Sequence, residues 1–394
     1  MTEAIVRLAA RGDGVTASGR FVAGAVPGDT IDDGGALIPG AGRQSPACRH
    51  FGPCGGCQLQ HVSAALYADF LGERVRSALE AQGLQTALRA PLVSAPHTRR
   101  RVALRATRKG RRVTLGYAEA KSHTLIDLGE CPVMAPALFA LLAPLRRLLG
   151  SILPERRTAN IQMTLADQGV DVMIDSVAVE GLVAAEALAN FGQENRLARL
   201  SIDEGFGPLA RWEPDRVTVT LGGHAVALPE GAFLQATAEG EAALCRAVGE
   251  AVAGASAIAD LFAGLGTFTF ASGARYAAEG SRASFFALQA ATRASNLPIT
   301  LEHRDLFRKP VFAPELAQFD CVIIDPPRAG AKEQVAELAK STVARIAYVS
   351  CNPATFARDA RTLVDGGFTL DWIQPVGQFL WSTHVELVAL FLRA

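Results

Sequence analysis

No sign of charge is in excess in this chain: 39 Lys and Arg balance 39 Asp and Glu. Net charge therefore says nothing about a polyanionic partner; local charge has to be read instead. Aromatic residues are scarce, at 7%, while apolar residues reach 49%, so the core must come from aliphatic side chains and alanine. The longest apolar run, 134–145, is interrupted by Pro136 and Pro144 and is shorter than the roughly 20 residues a bilayer-spanning helix needs. No internal repeat and no low-complexity tract occurs. The first fifteen residues mix Glu3, Arg7, Arg11 and Asp13 with apolar neighbours, unlike a secretory signal. The expectation is a cytoplasmic protein without membrane contact. In that setting seven cysteines point to metal binding or catalysis rather than disulfides.

At 394 residues the chain exceeds one ordinary core, and two or three domains are expected. Residues 1–46 read as short β-segments (4–8 and 19–26) between Gly-rich turns, too little to close a barrel unaided. Residues 47–225 read as an α+β domain with a helix over 64–80, a basic hairpin around Lys109-Gly110 and strand-like runs at 160–165, 170–175 and 217–221. From 226 to the end, strands alternate with helices (257–262, 274–279, 321–325, 345–350, 369–373 and 385–391), which predicts a doubly wound sheet. The last two strands are too close in sequence for a crossover helix and should pair antiparallel.

The chemistry gathers at strand ends, where open α/β sheets bind ligands. The run 345–349 ends in Ser350-Cys351-Asn352-Pro353, which places a thiol at a cleft rim. Ile324-Asp325-Pro326-Pro327-Arg328 ends a neighbouring strand, and a carboxylate there can accept from a ring N–H such as uracil N3. A pyrimidine C5 carbon is a poor nucleophile. A thiolate adding at C6 turns the ring into an enolate that can attack a methyl donor, after which a base must remove the C5 proton. Glu386, in His384-Val385-Glu386, is the candidate base.

Asp260-Leu261-Phe262-Ala263-Gly264-Leu265-Gly266 is a strand and Gly-rich turn before a helix. With Glu279 at the next strand end, placed for ribose hydroxyls, and Asp305 beyond it, this describes a nucleoside cleft. It has no pyrophosphate-sized loop, so S-adenosylmethionine suits it better than a dinucleotide. Phe233 is placed to stack on a base turned out of folded RNA, and Gln235 to read a base edge or touch the donor. Between His97 and His123 lie nine Arg or Lys and one acid; Arg101 and Arg105 belong to this run, which reads as phosphate contact. Cys48, Cys54 and Cys57, with Cys131 far downstream, can hold a [4Fe–4S] cluster or a structural zinc. Cys245 and Cys321 read as core.

Together these residues resemble the RNA uridine-C5 methyltransferases, and the segment 48–61 resembles the iron–sulfur branch acting on 23S rRNA. The resemblance runs from about residue 48 to the C-terminus. It implies a C-terminal Rossmann-like class I methyltransferase domain, a central iron–sulfur domain and an N-terminal TRAM-like (partial OB) β-segment. It further implies Cys351 as nucleophile, Glu386 as base, donor contacts at Gln235, Glu279 and Asp305, and a [4Fe–4S] cluster on Cys48, Cys54, Cys57 and Cys131. The helix over 64–80 should pack on the C-terminal domain. The expected partner is RNA, ribosomal before transfer, with a monomeric protein and no obligate protein partner. This chain departs from the family in a shortened N-terminal segment, in Thr237 and Thr267 where asparagine is usual, and in a short stretch between Phe270 and Glu279 that should truncate the first crossover helix. Two rivals are a cytosine-C5 RNA methyltransferase, disfavoured by Arg328 where that family has a second cysteine, and a non-catalytic iron–sulfur RNA-binding protein, disfavoured by Cys351 with Glu386.

Overall fold

The computed structural model describes residues 2–120, 122–177 and 179–393. The largest element is a nine-stranded sheet. Thr300–His303, Tyr276–Glu279, Ile258–Leu261, Cys321–Ile324 and Arg345–Ser350 lie side by side in that order, all parallel. The central strands Ile258–Leu261, Cys321–Ile324 and Arg345–Ser350 are short, mostly apolar and buried, as befits a parallel sheet covered on both faces, while the edge strand Thr300–His303 is more polar and more exposed. Glu386–Arg393 then inserts antiparallel between Arg345–Ser350 and Phe368–Gly377. The antiparallel pairing of the last two strands is as expected; Thr300–His303 is a strand the alternation pattern did not flag. The first crossover helix is indeed brief, Thr267–Ser272.

The far edge of this sheet is completed from outside the C-terminal region. Ala87–Leu88 and Leu92–Val93 pair parallel with Phe368–Gly377. The helix Ala64–Glu80 buries Tyr67, Phe70, Leu71, Val75 and Leu79 in the same core as Tyr348, Phe356 and Phe391. Residues 64–93 thus belong physically to the C-terminal sheet, although they precede the basic hairpin in sequence.

A six-stranded sheet forms the middle of the chain, ordered Pro208–Trp212, Arg199–Asp203, Gly169–Asp175, Thr158–Ala166, Arg101–Lys109 and Arg112–Gly116. Its apolar face packs on the helices Leu142–Ile152 and Gly181–Glu194. The helix Gly181–Glu194 and the strands Arg199–Asp203 and Pro208–Trp212 were not anticipated. Among the described residues no helix is long and apolar enough to cross a membrane.

The N-terminal segment differs from expectation. Where two β-segments were read, five short strands form one sheet, ordered Phe21–Val22, Gly14–Thr16, Glu3–Leu8, Thr30–Ile31 and Leu37–Ile38. Three of them are two residues long, below what alternation can reveal. Its own apolar cluster is small, built on Ile5, Ala25 and Ile31, while Leu8 and Val26 join the C-terminal core. A fully buried carboxylate substitutes for missing apolar mass. Asp29 accepts from the Val26 and Gly40 N–H groups at 2.8 Å each and pairs with Arg43 at 2.8 Å. Removing one partner of such a pair costs about 3 kcal/mol. Asp29→Ala should therefore speed amide hydrogen exchange across Glu3–Leu8 while leaving the Arg345–Ser350 amides protected; unchanged exchange at Glu3–Leu8 would contradict this role.

Candidate active site

Strand register assembles the site. Ser350 lies opposite Leu387, so the next step toward the rim sets Cys351 across from Glu386. An antiparallel strand begins where its parallel neighbours end, and its first residue therefore joins their carboxyl-end groups. Asp325 follows the adjacent strand Cys321–Ile324. Glu386 is buried, while Cys351 and Asp325 are half-buried. The Asn-Pro turn has a structural purpose as well. Asn352 Oδ1 accepts from the Ala354 N–H as the cap of helix Pro353–Asp365. Its Nδ2 and the Thr355 hydroxyl both donate to the Arg328 carbonyl, at 3.0 and 3.1 Å. Buried Asp359 holds the other end of that loop, accepting from the Ala331 N–H at 2.9 Å and the Tyr348 hydroxyl at 2.7 Å. The Pro-Pro-Arg loop is thus clamped to the nucleophile's own turn.

Burial decides the electrostatics here. It pushes Glu386 up to about 7 against the opposing Gln378 and Arg328 contacts. It pushes Asp325 up to about 8, with the Glu386 charge adding to the effect. The Cys351 thiol is driven up to about 11 by burial, then by Glu386 and Asp325, with Arg328 acting in the opposite sense. Ligand-free, the thiol is protonated and the carboxyl groups stand ready to hold or release protons near neutrality. Arg328 Nη2 lies 2.7 Å from His384 Nδ1. Burial and then the Arg328, Arg74 and Arg99 charges lower the His384 pKa, which keeps that ring neutral and accepting. Arg74, Arg328, Asn352, Thr383 and His384 line, with Cys351, a pocket of about 260 Å³. Arg74 on the helix Ala64–Glu80 has no signature that sequence reading could have used.

The residues expected to contact a donor lie along the strand ends toward Thr300–His303. Gly264 donates its N–H to Glu279 Oε2 at 2.7 Å. Gly266, at φ 96°, precedes helix Thr267–Ser272, and a Cβ there would meet Leu288 at 2.6 Å and Phe270 at 2.7 Å. Phe262 also adopts positive φ, 63°, and packs on Phe307 at 5.4 Å; neither aromatic was singled out from sequence. Exposed Asp305 accepts from the Phe307 N–H at 3.0 Å. Asp260 is fully buried below the turn. One of its oxygens accepts from the Thr269 hydroxyl at 2.6 Å and the other has no protein partner. Gln235 is buried, whereas Phe233 is 62% exposed with Arg101 5.3 Å above its ring. Thr237 caps helix Ala238–Ala251, accepting from the Gly240 N–H at 2.9 Å.

The basic run does not act as one face. Arg100 is drawn inward to Glu241, at 2.6 Å, and to the Gln235 carbonyl, at 3.0 Å. Arg108 donates to the carbonyls of Gly110 and Leu153. Both are tied to protein, while Arg105 is exposed on the strand Arg101–Lys109. Single-sequence alternation does not reveal such pins.

Cys48, Cys54, Cys57 and Cys131 line one cavity together with Arg99, Tyr117 and Gln60. The Tyr117 hydroxyl and Gln60 Oε1 are buried there without a hydrogen-bond partner. All seven cysteines are free thiols. Among the described residues, no three His, Cys, Asp or Glu side chains are grouped to hold a metal ion. Neither the expected [4Fe–4S] cluster nor the alternative zinc thus has a ready-made ligand group among the described residues. Cys321 is buried and Cys245 packs against the same apolar cluster, as core residues.

The acid pair predicts a reactivity. Glu386→Gln removes a charge that opposes thiolate formation, so Cys351 should titrate lower and react with iodoacetamide about 3- to 10-fold faster at pH 8. Mass-spectrometric alkylation rates at Cys351 test this; an unchanged or slower rate would separate the two groups.

Residues 299–394 match the tRNA (uracil-5-)-methyltransferase family model. The chain is 51% identical over 99% of its length to an uncharacterized RNA methyltransferase of Zymomonas mobilis, covering 99% of that protein. It is 30% identical, over 94% of its length and 84% of the relative, to the 23S rRNA (uracil(1939)-C(5))-methyltransferase RlmD of Halomonas elongata. In fold it is similar to the Pyrococcus abyssi tRNA (uracil-54, C5)-methyltransferase solved with S-adenosyl-L-homocysteine, with TM-score 0.75, 22% identity and full coverage of both chains. The chain belongs to the S-adenosylmethionine-dependent RNA uracil-C5 methyltransferases.

Proposed function

We propose that this enzyme methylates C5 of a uridine in 23S rRNA, with Cys351 as nucleophile and Glu386 as base. The observation that carries the reading is a thiol placed against two desolvated carboxyl groups at the mouth of a polar pocket. Cys351 Sγ bonds to C6 and the ring electrons move to O4. Arg328, the cation beside the thiol, favours its thiolate form. Asp325, protonated or ionised at need near pH 8, meets the N3–O4 edge. S-adenosylmethionine would supply an electrophilic methyl group: as C5 bonds to it the S–CH3 bond breaks, S-adenosylhomocysteine leaves with the electron pair, and the C4=O4 double bond is restored. Glu386 then removes the C5 proton, the C5–H electrons form the C5–C6 double bond, and the C6–S bond breaks to return the thiolate. Glu279, Asp305, Gly264 and Gln235 hold the donor, with Phe262 and Phe307 as an apolar wall for its purine. Phe233 and Arg101 offer a face on which a base can stack, and Arg74, Arg105 and Arg328 meet phosphates.

The ribosomal substrate is preferred to transfer RNA because the 30% relative acts on 23S rRNA, whereas the archaeal transfer-RNA enzyme shares only the fold at 22% identity. The four cysteines on one cavity are suited to a [4Fe–4S] cluster. Each thiolate would bind a different iron, so the sulfurs need not converge as on one ion. The unpartnered Tyr117 hydroxyl and Gln60 amide oxygen line the space it would fill. Its contribution is to cross-link Cys131 to the segment 48–57; no chemical step passes through it.

Cys351→Ala should abolish methyl transfer, and 5-fluorouridine RNA should trap the wild-type enzyme with donor as a denaturation-resistant complex. Methylation surviving in the mutant would end the thiolate mechanism. A strain lacking the protein should lose one 5-methyluridine from 23S rRNA; loss from transfer RNA alone would reassign the substrate. Protein purified without air should be brown, with broad absorbance near about 400 nm, and Cys131→Ser should bleach it; colourless protein carrying one zinc would overturn the cluster.

A further inference from the structure

We infer that Gln378 is a positioning residue that joins the donor side of the site to its proton-accepting side. The inference rests on the reading of Gln235 as a donor contact and Glu386 as the base.

Gln378 is 1% exposed. It sits just past the strand Phe368–Gly377, in the loop leading to Glu386. Its Oε1 accepts from the Ala236 N–H at 2.8 Å. That bond fixes which end of the amide is which, because an N–H₂ group could not accept there. Nε2 then has two hydrogens. One goes to Gln235 Oε1 at 2.7 Å, and the amide also faces Glu386, whose pairing with Val376 brings it beside the residue that follows the strand. The Ala236 and Gln235 bonds together fix the orientation of this buried amide. Gly240, in the first turn of helix Ala238–Ala251, makes the room: a Cβ there would come within 2.6 Å of the Gln378 Cβ.

Two consequences follow from donor and acceptor identity. Since Gln235 Oε1 is occupied as an acceptor, the Gln235 N–H₂ is the end left to meet an anionic group such as the carboxylate of the methyl donor. The Gln378 amide beside Glu386 favours the ionised carboxylate and opposes the effect of burial. The other charged groups facing Glu386 are Arg328, which acts in the same sense, and Asp325 and Cys351, whose own ionisation it opposes. The Arg100–Glu241 ion pair stands behind Gln235. One amide thus orients a donor contact and keeps the base available for proton removal.

Gln378→Met and Gln378→Glu separate this from a packing role. The first keeps volume and loses both donors; the second keeps size and the acceptor for Ala236. Release of tritium from [5-³H]uridine RNA, followed against pH, should show an ascending limb moved upward by about one unit in both variants. KM for S-adenosylmethionine should rise several-fold. Trapping by 5-fluorouridine RNA at saturating donor should persist, since the adduct precedes proton removal. A variant that lowers the rate equally at every pH, with unchanged KM, would overturn the inference; if one variant does not fold, the other decides. Glu386→Gln is the control. Normal tritium release by that enzyme would refute the base assignment itself, whereas lost release with a wild-type pH profile in the Gln378 variants would refute only the role of Gln378.

Discussion

Thiol and carboxyl groups that each lose solvation by ionising share one corner of this protein, and their mutual repulsion governs what the site can do. Cys351, Asp325 and Glu386 cannot all be charged in so desolvated a place. Proton movement between Asp325 and Glu386, near 8 and 7, is therefore inexpensive, while forming the Cys351 thiolate beside them is not. The arrangement arises from one topological choice. Had Glu386–Arg393 run parallel to Arg345–Ser350, its first residue would lie at the opposite edge of the sheet. Antiparallel insertion brings a carboxylate to the thiol without any loop having to reach across.

That corner is held from outside the sheet. The N–H groups of Gln58 and Leu59, directly after Cys57, both donate to the Trp381 carbonyl at 2.9 Å. Trp381 itself has φ 58°, a conformation that needs fixing by its surroundings. The Tyr67 hydroxyl lies 3.1 Å from the Phe379 carbonyl and 3.2 Å from that of Ser382. The loop between Gln378 and Glu386 is thus gripped by the cysteine segment on one side and the helix Ala64–Glu80 on the other. Residues far apart in sequence act as one support, which gives the cysteine-rich segment a mechanical link to the catalytic loop independent of whatever the thiols bind.

How much of this was legible depended on the length scale of each signal. The run 345–350 is apolar and β-branched enough to be read to the residue, and the helix at 64–80 shows its apolar stripe in full. Local motifs marked Cys351, Asp325 and Glu279 as strand-end residues because the topology of a doubly wound sheet brings such ends to one side, and the antiparallel last strand brings Glu386 to that same side. Two-residue strands carry no period, so the five-stranded N-terminal sheet read as fragments. Arg74 and Gln378 were illegible for another reason: each matters only through partners distant in sequence. The same holds for Arg100 and Arg108, whose charges in sequence resemble phosphate contacts until Glu241 and the Leu153 carbonyl are seen to occupy them.

The balance of charge in the whole chain then has a local meaning. Arginines tied to protein, Arg100 and Arg108, position the hairpin and the Gln235 segment, while Arg105, Lys109, Arg111 and Arg112 stay exposed and Arg101 lies above the Phe233 ring. In a chain without net charge these exposed side chains are a local concentration of cations, the kind of feature that makes binding of a polyanion salt-dependent. A second set of polar groups, Arg74, Arg328 and neutral His384, surrounds the Cys351 thiol in its own pocket, so the two features lie on different elements and can act separately.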